Sequence, residues 1–331
     1  MEQQKKVDIW SLSDICTPWC VHVVVTLRIA DHIEAGIRQI DDLASAAGAH
    51  ADSLHRVLRH LVGCGVFEEP SLGIFALNEP ARQLLDSPIR IGLDLDKFGG
   101  RMAHAWGGLL TAVRTGSPGY SSVFGRPFWE DLAANPDISA SFDDLMGAEG
   151  HGIPDPNILL SGSWDSVRSV VDVGGGTGTL LAEVLKAHPS VKGTLVDLPE
   201  TVGRSDAVFR EAGVQDRVTK SPQSFFEPLP TGADLYLLKS VLGDWPDAEA
   251  TVILRNCANA ARPGGRILIL NGVSPDDGRV GPSPALLMMV LVGGRDRQLT
   301  EFRELAKTCG LQVSEARPQG SWRLVVECVP I

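Results

Sequence analysis

The 331-residue sequence has no surplus of positive charge and no long apolar segment. It contains 30 Lys and Arg against 41 Asp and Glu, and the net charge of −11 argues against binding along a phosphate backbone, which needs clustered basic side chains. The apolar run from Val23 to Ala30 is interrupted by Arg28 and is too short to span a bilayer. The N-terminus lacks the apolar core of a signal peptide, and we therefore expect a cytoplasmic protein.

Cysteine pairs of the CxxC type are also absent. The placement of the histidines relative to the cysteines does not indicate a metal site, and we expect no metal. We expect the thiols to be reduced and mostly buried. The six cysteines are Cys16, Cys20, Cys64, Cys257, Cys309 and Cys328.

Residues 1–95 predict short helices followed by a β-hairpin, which is a winged-helix pattern. Such a module binds DNA in some proteins and mediates dimerisation in others. The acidic chain has no basic stripe beside this module, which favours a dimerisation domain and a homodimer. The predicted elements are a helix capped by Asp41 or Asp42, a helix from Ala51 to Leu61, and strands at Val66-Phe67 and Ile74–Leu77.

Residues 96–160 predict a helical linker that is broken by prolines and rich in aromatic side chains. Core packing explains most of these rings. We expect a fraction of them to line a pocket for a flat or apolar ligand, because such pockets are mainly apolar.

From Ser169 onward, strands alternate with helices, which predicts an α/β fold with a mostly parallel sheet covered on both faces. We assign residues 161–331 to this Rossmann-like domain. Its first strand runs through Asp172 into the turn Gly174–Gly178, where glycine lets a ligand approach the backbone closely. The turn departs from the dinucleotide fingerprint G-x-G-x-x-G, because Thr179 stands where glycine or alanine is needed. Asp197 ends the second strand, and an acid there can hold the ribose of an adenosine in either class of cofactor.

The segments VDVGGGTG, LVDLPETV, SFFEPLP, LLKSVLGDWPDAEA and PGGRILIL together resemble the class I S-adenosylmethionine (SAM)-dependent O-methyltransferases of bacteria and plants. The resemblance covers nearly the whole chain and is close to bacterial members that modify natural products. It implies SAM as cofactor and an aromatic or polycyclic small molecule as substrate. It places Asp172, Gly174, Gly176, Asp197, Leu198, Ser224, Phe225, Lys239 and Trp245 at the cofactor, and Trp106, Phe142, Met146, Gly243 and Met289 in the substrate pocket.

The catalytic side of this resemblance is altered. The family's base is a histidine in the sequence HDW, which reads Gly243-Asp244-Trp245 here. The family's two acids align with Asn271 and Asp296. Methyl transfer then relies on proximity and orientation, or on another base such as His151 or His104.

Two other interpretations remain. Some members of the fold bind SAM but carry out hydroxylation, decarboxylation or pericyclic reactions, in which the sulfonium charge stabilises an electron-rich transition state. The loss of the histidine at Gly243 makes such chemistry the main alternative. A SAM-binding regulator that uses the winged helix is the third interpretation.

Overall fold

A computed structural model describes residues 8–147, 155–159, 163–277, 284–319 and 323–331. The chain divides after Ala103 into two compact units. The first is mainly helical and the second is α/β, which confirms the predicted fold class. The finer division at 1–95, 96–160 and 161–331 stays a prediction. Among the described residues, no helix combines the length and apolarity that crossing a bilayer requires.

The N-terminal unit is built on amphipathic helices around one apolar core. Leu54, Leu58 and Leu61 follow one another at helical spacing on α5, and all three are buried. Its elements are α1 (Ile9–Leu12), α2 (Cys16–Thr26), α3 (Ile29–Glu34), α4 (Ile40–Ala46), α5 (Ala51–Gly63), β1 (Glu68–Ser71), β2 (Ile74–Ala76), α6 (Glu79–Arg82) and α7 (Ser87–Leu93). A further helix, α8 (Phe98–Ala105), crosses the division between the units.

Two local predictions in this unit were wrong. The first hairpin strand is Glu68–Ser71 rather than Val66-Phe67, because Phe67 adopts a left-handed φ of 75° and its N–H bonds to Asn78. Asp41 and Asp42 do not cap α4. The cap position is Gln39, and the two acids lie in the first turn, where negative charge suits the helix dipole.

The C-terminal unit contains a seven-stranded sheet in the order β10-β11-β7-β6-β3-β4-β5. The five strands from β7 to β5 are parallel, and β11 pairs antiparallel with β7 on one side and with β10 on the other. The strands are β3 (Ser169–Val173), β4 (Lys192–Asp197), β5 (Val218–Pro222), β6 (Leu235–Lys239), β7 (Arg266–Leu270), β10 (Leu311–Gln319) and β11 (Arg323–Pro330), with a short pair β8 (Val273–Ser274) and β9 (Arg297–Gln298) outside the sheet.

Helices cover both faces of this sheet. Successive residues of β7 point to opposite faces, so Ile267 and Ile269 join one apolar cluster while Leu268 and Leu270 join the other. The helices that follow α8 are α9 (Leu109–Thr115), α10 (Tyr120–Phe124), α11 (Phe128–Ala134), α12 (Pro136–Met146), α13 (Thr179–Ala187), α14 (Pro199–Glu211), α15 (Asp247–Ala260), α16 (Pro284–Leu291) and α17 (Leu299–Thr308).

Strand β3 lies at the point where the strand order reverses. The chain passes from β3 to β4 on one side and later returns to β6 on the other side. Ligands of open α/β sheets bind at the carboxyl ends of the strands at such a switch point. The turn after β3 therefore begins at the position where the fold favours a ligand.

Candidate active site

The turn Gly174–Gly178 leads from β3 into α13. Gly176 has a φ of 61°, and a Cβ atom added there would meet nothing within 4 Å. Gly178 has a φ of 86°, and its Cβ would lie 2.3 Å from Cζ of Phe209. Glycine at 176 thus leaves the backbone open to a ligand, whereas glycine at 178 lets the turn pack against α14.

Asp197 is held against this turn at the end of β4. Its Oδ2 accepts a hydrogen bond of 2.8 Å from the N–H of Gly176, and its Oδ1 accepts one of 2.8 Å from the N–H of Leu198. Burial raises the pKa of Asp197, although these hydrogen bonds oppose the shift. The carboxylate is therefore oriented beside the open glycine and keeps lone pairs for a ligand.

Asp172 is a buried acid beneath the same turn. Its Oδ2 has no hydrogen-bond partner among the described residues. Burial raises its pKa to about 7, and the positive charge of Lys239 acts in the opposite direction. Burial in turn lowers the pKa of the Lys239 ammonium group. An unpartnered buried oxygen of this kind calls for a partner that a bound ligand can supply.

A cavity of about 380 Å³ opens at this edge of the sheet. It is lined by all nine residues predicted to bind SAM, from Asp172 to Trp245. Aromatic side chains form another part of its wall. There the rings of Trp129 and Trp245 stack at 5.8 Å with an angle of 15°, and Phe226 meets Trp245 edge-on at 4.8 Å. Phe142 and Met146, two of the five residues predicted for the substrate pocket, line this cavity too.

The other three predicted pocket residues do not line the cavity. Helix α16, which carries Met289, packs against the turn Trp106–Gly108 and against the turn Leu242–Asp244, which contains Gly243. Trp106 is 43% exposed. The elements that carry these three residues therefore pack together beside the cavity, and the residues are not among those that line it.

The three predicted catalytic residues fall in different places. Asp296 lies beside Gly243, since a Cβ on that glycine would be 3.6 Å from its Oδ1. Asn271 does not line the cavity, but its Nδ2 donates a hydrogen bond of 2.8 Å to Oγ of Ser240, which does. His151 lies outside the described residues. His104, the other histidine considered, is exposed and does not line the cavity.

Asp244 is a site residue that the sequence argument overlooked. It is half-buried and lines the cavity next to Trp245. Burial raises its pKa to about 7, and the charge of Asp296 adds to the shift. A carboxyl group with such a pKa can take up a proton near neutral pH. Its position directly after Gly243, which the resemblance aligns with the family's histidine, was the signal that could have revealed it.

An ion pair that lines the cavity was also not predicted from the sequence. Arg204 on α14 donates from Nε to Oδ2 of Asp143 on α12 at 2.7 Å, and both residues line the cavity. Burial raises the pKa of Asp143 to about 6 despite the guanidinium group. The two residues are 61 positions apart in sequence, so no local sequence pattern predicts that they pair.

The glycine turn, the acid at the end of β4 and the cavity between them define a SAM-binding enzyme of the Rossmann-like class. Residues 106–312 match the model of the O-methyltransferase domain, and residues 10–87 match that of the O-methyltransferase dimerisation domain. The chain belongs to the O-methyltransferase family. The predicted SAM cofactor and homodimer are thereby confirmed.

Of three similar proteins, two are named O-methyltransferases and one is named a hydroxylase. The chain is 42% identical over 315 residues to the 2,7-dihydroxy-5-methyl-1-naphthoate 7-O-methyltransferase of Streptomyces carzinostaticus, with 94% of each protein covered. It is 38% identical to the aclacinomycin 10-hydroxylase of Streptomyces purpurascens, covering 98% of this chain and 88% of that protein. A neocarzinostatin-biosynthesis O-methyltransferase, solved with SAM and 2-hydroxy-5-methyl naphthoic acid, superposes with a TM-score of 0.91 at 40% identity, covering 99% of this chain and 100% of the other.

Proposed function

We propose that the enzyme transfers a methyl group from SAM to a phenolic hydroxyl of a flat bicyclic or polycyclic aromatic compound. One observation carries this proposal. The same cavity is lined by Gly176 and Asp197, which are hydrogen-bonded to each other, and by the stacked rings of Trp129 and Trp245. Such a cavity holds a nucleoside-bearing cofactor and a planar acceptor next to each other.

At the cofactor end, each polar group has a task that fits SAM. The lone pairs of Asp197 that the backbone leaves unused accept the ribose hydroxyls. Gly174 and Gly176 admit the methionine portion, and the unpartnered oxygen of Asp172 accepts a hydrogen bond from its amino end. Bound SAM supplies the electrophilic methyl group. Leu198, Ser224 and Phe225 flank the adenine, while Lys239 and Trp245 close the wall.

At the acceptor end, aromatic side chains select a planar molecule. Trp129, Phe142 and Trp245 present ring faces and edges, and aromatic pairs favour stacked or edge-on contacts. Met146 adds an adaptable apolar surface. Enclosure by these side chains excludes water from the acceptor hydroxyl. The naphthoate compounds in the names of similar proteins are planar bicyclic molecules of the kind proposed here.

We assign acceptance of the phenolic proton to Asp244, with Asp296 beside it. Gly243 offers no base, whereas the carboxylate of Asp244 lines the cavity and has a pKa raised to about 7. A base works best when its pKa lies near the working pH. Asn271 steadies Ser240 through its hydrogen bond, and His151 stays a further candidate for the base.

The proposal is tested with SAM labelled on its methyl group. Purified enzyme is incubated with a panel of hydroxynaphthoates and larger phenols, and the products are analysed for labelled ether and S-adenosylhomocysteine. We expect both in equal amounts with at least one acceptor. Failure to methylate any acceptor, despite measured binding of S-adenosylhomocysteine, would refute methyl transfer.

A second candidate function is a reaction that converts the same class of aromatic substrate without methylating it. The missing base at Gly243 and the similarity to a hydroxylase favour this candidate. In that case the acceptor is converted while SAM remains unconsumed. Measuring the SAM concentration and the acceptor by chromatography in the same reaction separates the two functions.

We also propose the chain's organisation and location. Residues 1–95 act in dimerisation, residues 96–160 contribute Phe142 and Met146 to the acceptor end, and residues 161–331 bind SAM. A cytoplasmic location suits the exposed free thiols of Cys16 and Cys64, since such thiols persist in a reducing compartment.

A further inference from the structure

Two packed helices of the N-terminal unit bring cysteine and histidine side chains together far from the cavity residues in sequence. The ligand atoms of Cys16, Cys20 and His60 all lie within 4.8 Å of one another. Cys16 and Cys20 belong to α2, whereas His60 belongs to α5. The sequence-based expectation of mostly buried thiols was therefore wrong for this region, where Cys16 and Cys64 are exposed and Cys20 is half-buried.

The cluster follows from helical spacing. Cys16 and Cys20 are four residues apart on one helix, and His60 and Cys64 are four residues apart at the end of the other. Residues at this spacing share a helix face, so packing of α2 against α5 makes the two pairs converge. A search for CxxC pairs alone does not detect this spacing of four residues.

Two of the distances suit tetrahedral coordination, and Cys64, which lies outside the group of three, would move closer to complete it. The sulfurs of Cys16 and Cys20 are 3.9 Å apart, and Nε2 of His60 lies 3.8 Å from the sulfur of Cys64. Zinc bonds to sulfur of about 2.3 Å place two sulfurs of a tetrahedron about 3.8 Å apart. A disulfide would require about 2.05 Å, so both thiols are free to act as ligands.

We propose that Cys16, Cys20 and His60 bind one zinc ion, with Cys64 as the fourth ligand. Three thiolates with one imidazole form a donor set typical of structural zinc. Thr17 lies between His60 and Cys64. Its Oγ1 is 2.9 Å from Nε2 of His60 and 3.7 Å from the sulfur of Cys64. This hydrogen bond occupies Nε2 of His60, so the ion would displace the Thr17 hydroxyl when that nitrogen binds it. The ion would link α2 to α5 and stabilise this unit.

Binding is coupled to the release of protons. A free cysteine is mostly protonated at neutral pH, whereas zinc is bound by the thiolate. Zinc binds the thiolate and displaces that proton. We therefore expect the zinc affinity to fall as the pH is lowered.

The test uses the full-length chain, reduced and stripped of metal with a chelator. Zinc is titrated in competition with a chromophoric chelator, and Co²⁺ is added separately as a spectroscopic probe. We expect one zinc per chain, intense visible bands of tetrahedral Co²⁺ and a thiolate charge-transfer band. Cys16→Ser, Cys20→Ser and His60→Ala each lose stoichiometric binding, whereas His55→Gln, a histidine change on the same helix, binds like the wild type.

Folding is checked independently of binding. Cys16 is exposed, so Cys16→Ser should melt at the wild-type temperature when chelator is present. Zinc should then raise the melting temperature of the wild type but not of this variant. The proposal is overturned if the wild type takes up no zinc, or if Cys16→Ser and Cys20→Ser bind it as tightly as the wild type. Unchanged zinc affinity in Cys64→Ser would overturn the assignment of the fourth ligand.

Discussion

A Cβ atom at Gly243 would lie 3.6 Å from Oδ1 of Asp296, at ordinary van der Waals distance. The backbone of Gly243 is outside the left-handed region, so a larger residue can be introduced there without backbone strain. Gly243, which the sequence resemblance aligns with the family's histidine base, thus has room for a Cβ atom and an acidic neighbour.

The first prediction concerns restoring that base. Gly243→His should increase turnover of a phenolic acceptor roughly tenfold or more, because a positioned general base contributes about 10²–10⁴ to a rate. The measurement is kcat under saturating SAM. Gly243→Ala controls for the change in volume, and Asp296→Asn in the histidine variant should remove part of the gain. Equal rates for the histidine and alanine variants would contradict the prediction.

The second prediction concerns the pH dependence of the wild type. Asp244 must be deprotonated to accept a proton, and its pKa is raised to about 7, so kcat/KM should rise as the pH increases through 7. Asp244→Asn should lower the rate by about 10² or more and abolish this rise. An acceptor that is already ionised at pH 6 provides the control, since it needs no base. Its rate should change little, and a comparable loss with both acceptors would instead indicate a structural role.

The third prediction concerns cofactor affinity. Asp197→Asn puts an amide donor where backbone N–H groups donate, and it removes a charged acceptor worth about 1.5–3 kcal/mol. The affinity for S-adenosylhomocysteine should fall by about ten- to a hundredfold in calorimetry. Because burial raises the pKa of Asp197, wild-type affinity should also decline as the pH falls through that raised pKa.

A matched control for this change lies on α14. Asp206 carries the same charge, has a side chain 65% exposed and pairs with Lys220 at the surface. Asp206→Asn should leave the affinity unchanged. Equal losses in the two variants would show that net charge, rather than the carboxylate beside Gly176, governs binding.

The fourth prediction concerns stability. The folded pKa of Asp172 is about 7 against an ordinary value of 3.8, so between these pH values the folded protein keeps a proton that the unfolded chain releases. The free energy of unfolding therefore falls as the pH rises across this window. Asp172→Asn should raise it by about 1–3 kcal/mol at pH 8, measured by denaturant titration. The gain should shrink at pH 4, where the acid is neutral in the folded state, and a gain independent of pH would refute the linkage.

The fifth prediction separates packing from backbone strain. Gly178→Ala must accommodate a Cβ 2.3 Å from Cζ of Phe209 at a φ of 86°. Gly213→Ala has a similar φ of 67° but meets nothing within 4 Å. We expect the second variant to lose about 1 kcal/mol of unfolding free energy and the first to lose about 2–4 kcal/mol. Equal losses would mean that Phe209 yields without cost.

The cofactor half of the site was predictable because its elements are local. A buried strand, the turn Gly174–Gly178 and an acid at the end of the next strand are each contiguous in sequence. Parallel pairing of β3 with β4 then brings the two strand ends to the same edge. Asp197 consequently meets Gly176 without further adjustment.

The acceptor half was predictable only in part. The ring of Trp129 comes from α11 and that of Trp245 from the turn before α15, so their stacking depends on how distant segments pack. The same holds for Arg204 with Asp143 and for Asp244 with Asp296. Phe67 shows a local limit, since an apolar pair resembles a strand although tertiary hydrogen bonding holds it in a left-handed turn.

The amino-acid order by itself determined the two kinds of architecture, the family and the SAM-binding turn, because hydrophobic periodicity and glycine placement act over a few residues. Only the tertiary structure decided which carboxyl groups lie at the cavity beside Gly243 and which thiols meet a histidine. Those decisions depend on burial and on distances between residues far apart in sequence, and both are set when helices and strands pack into a common core.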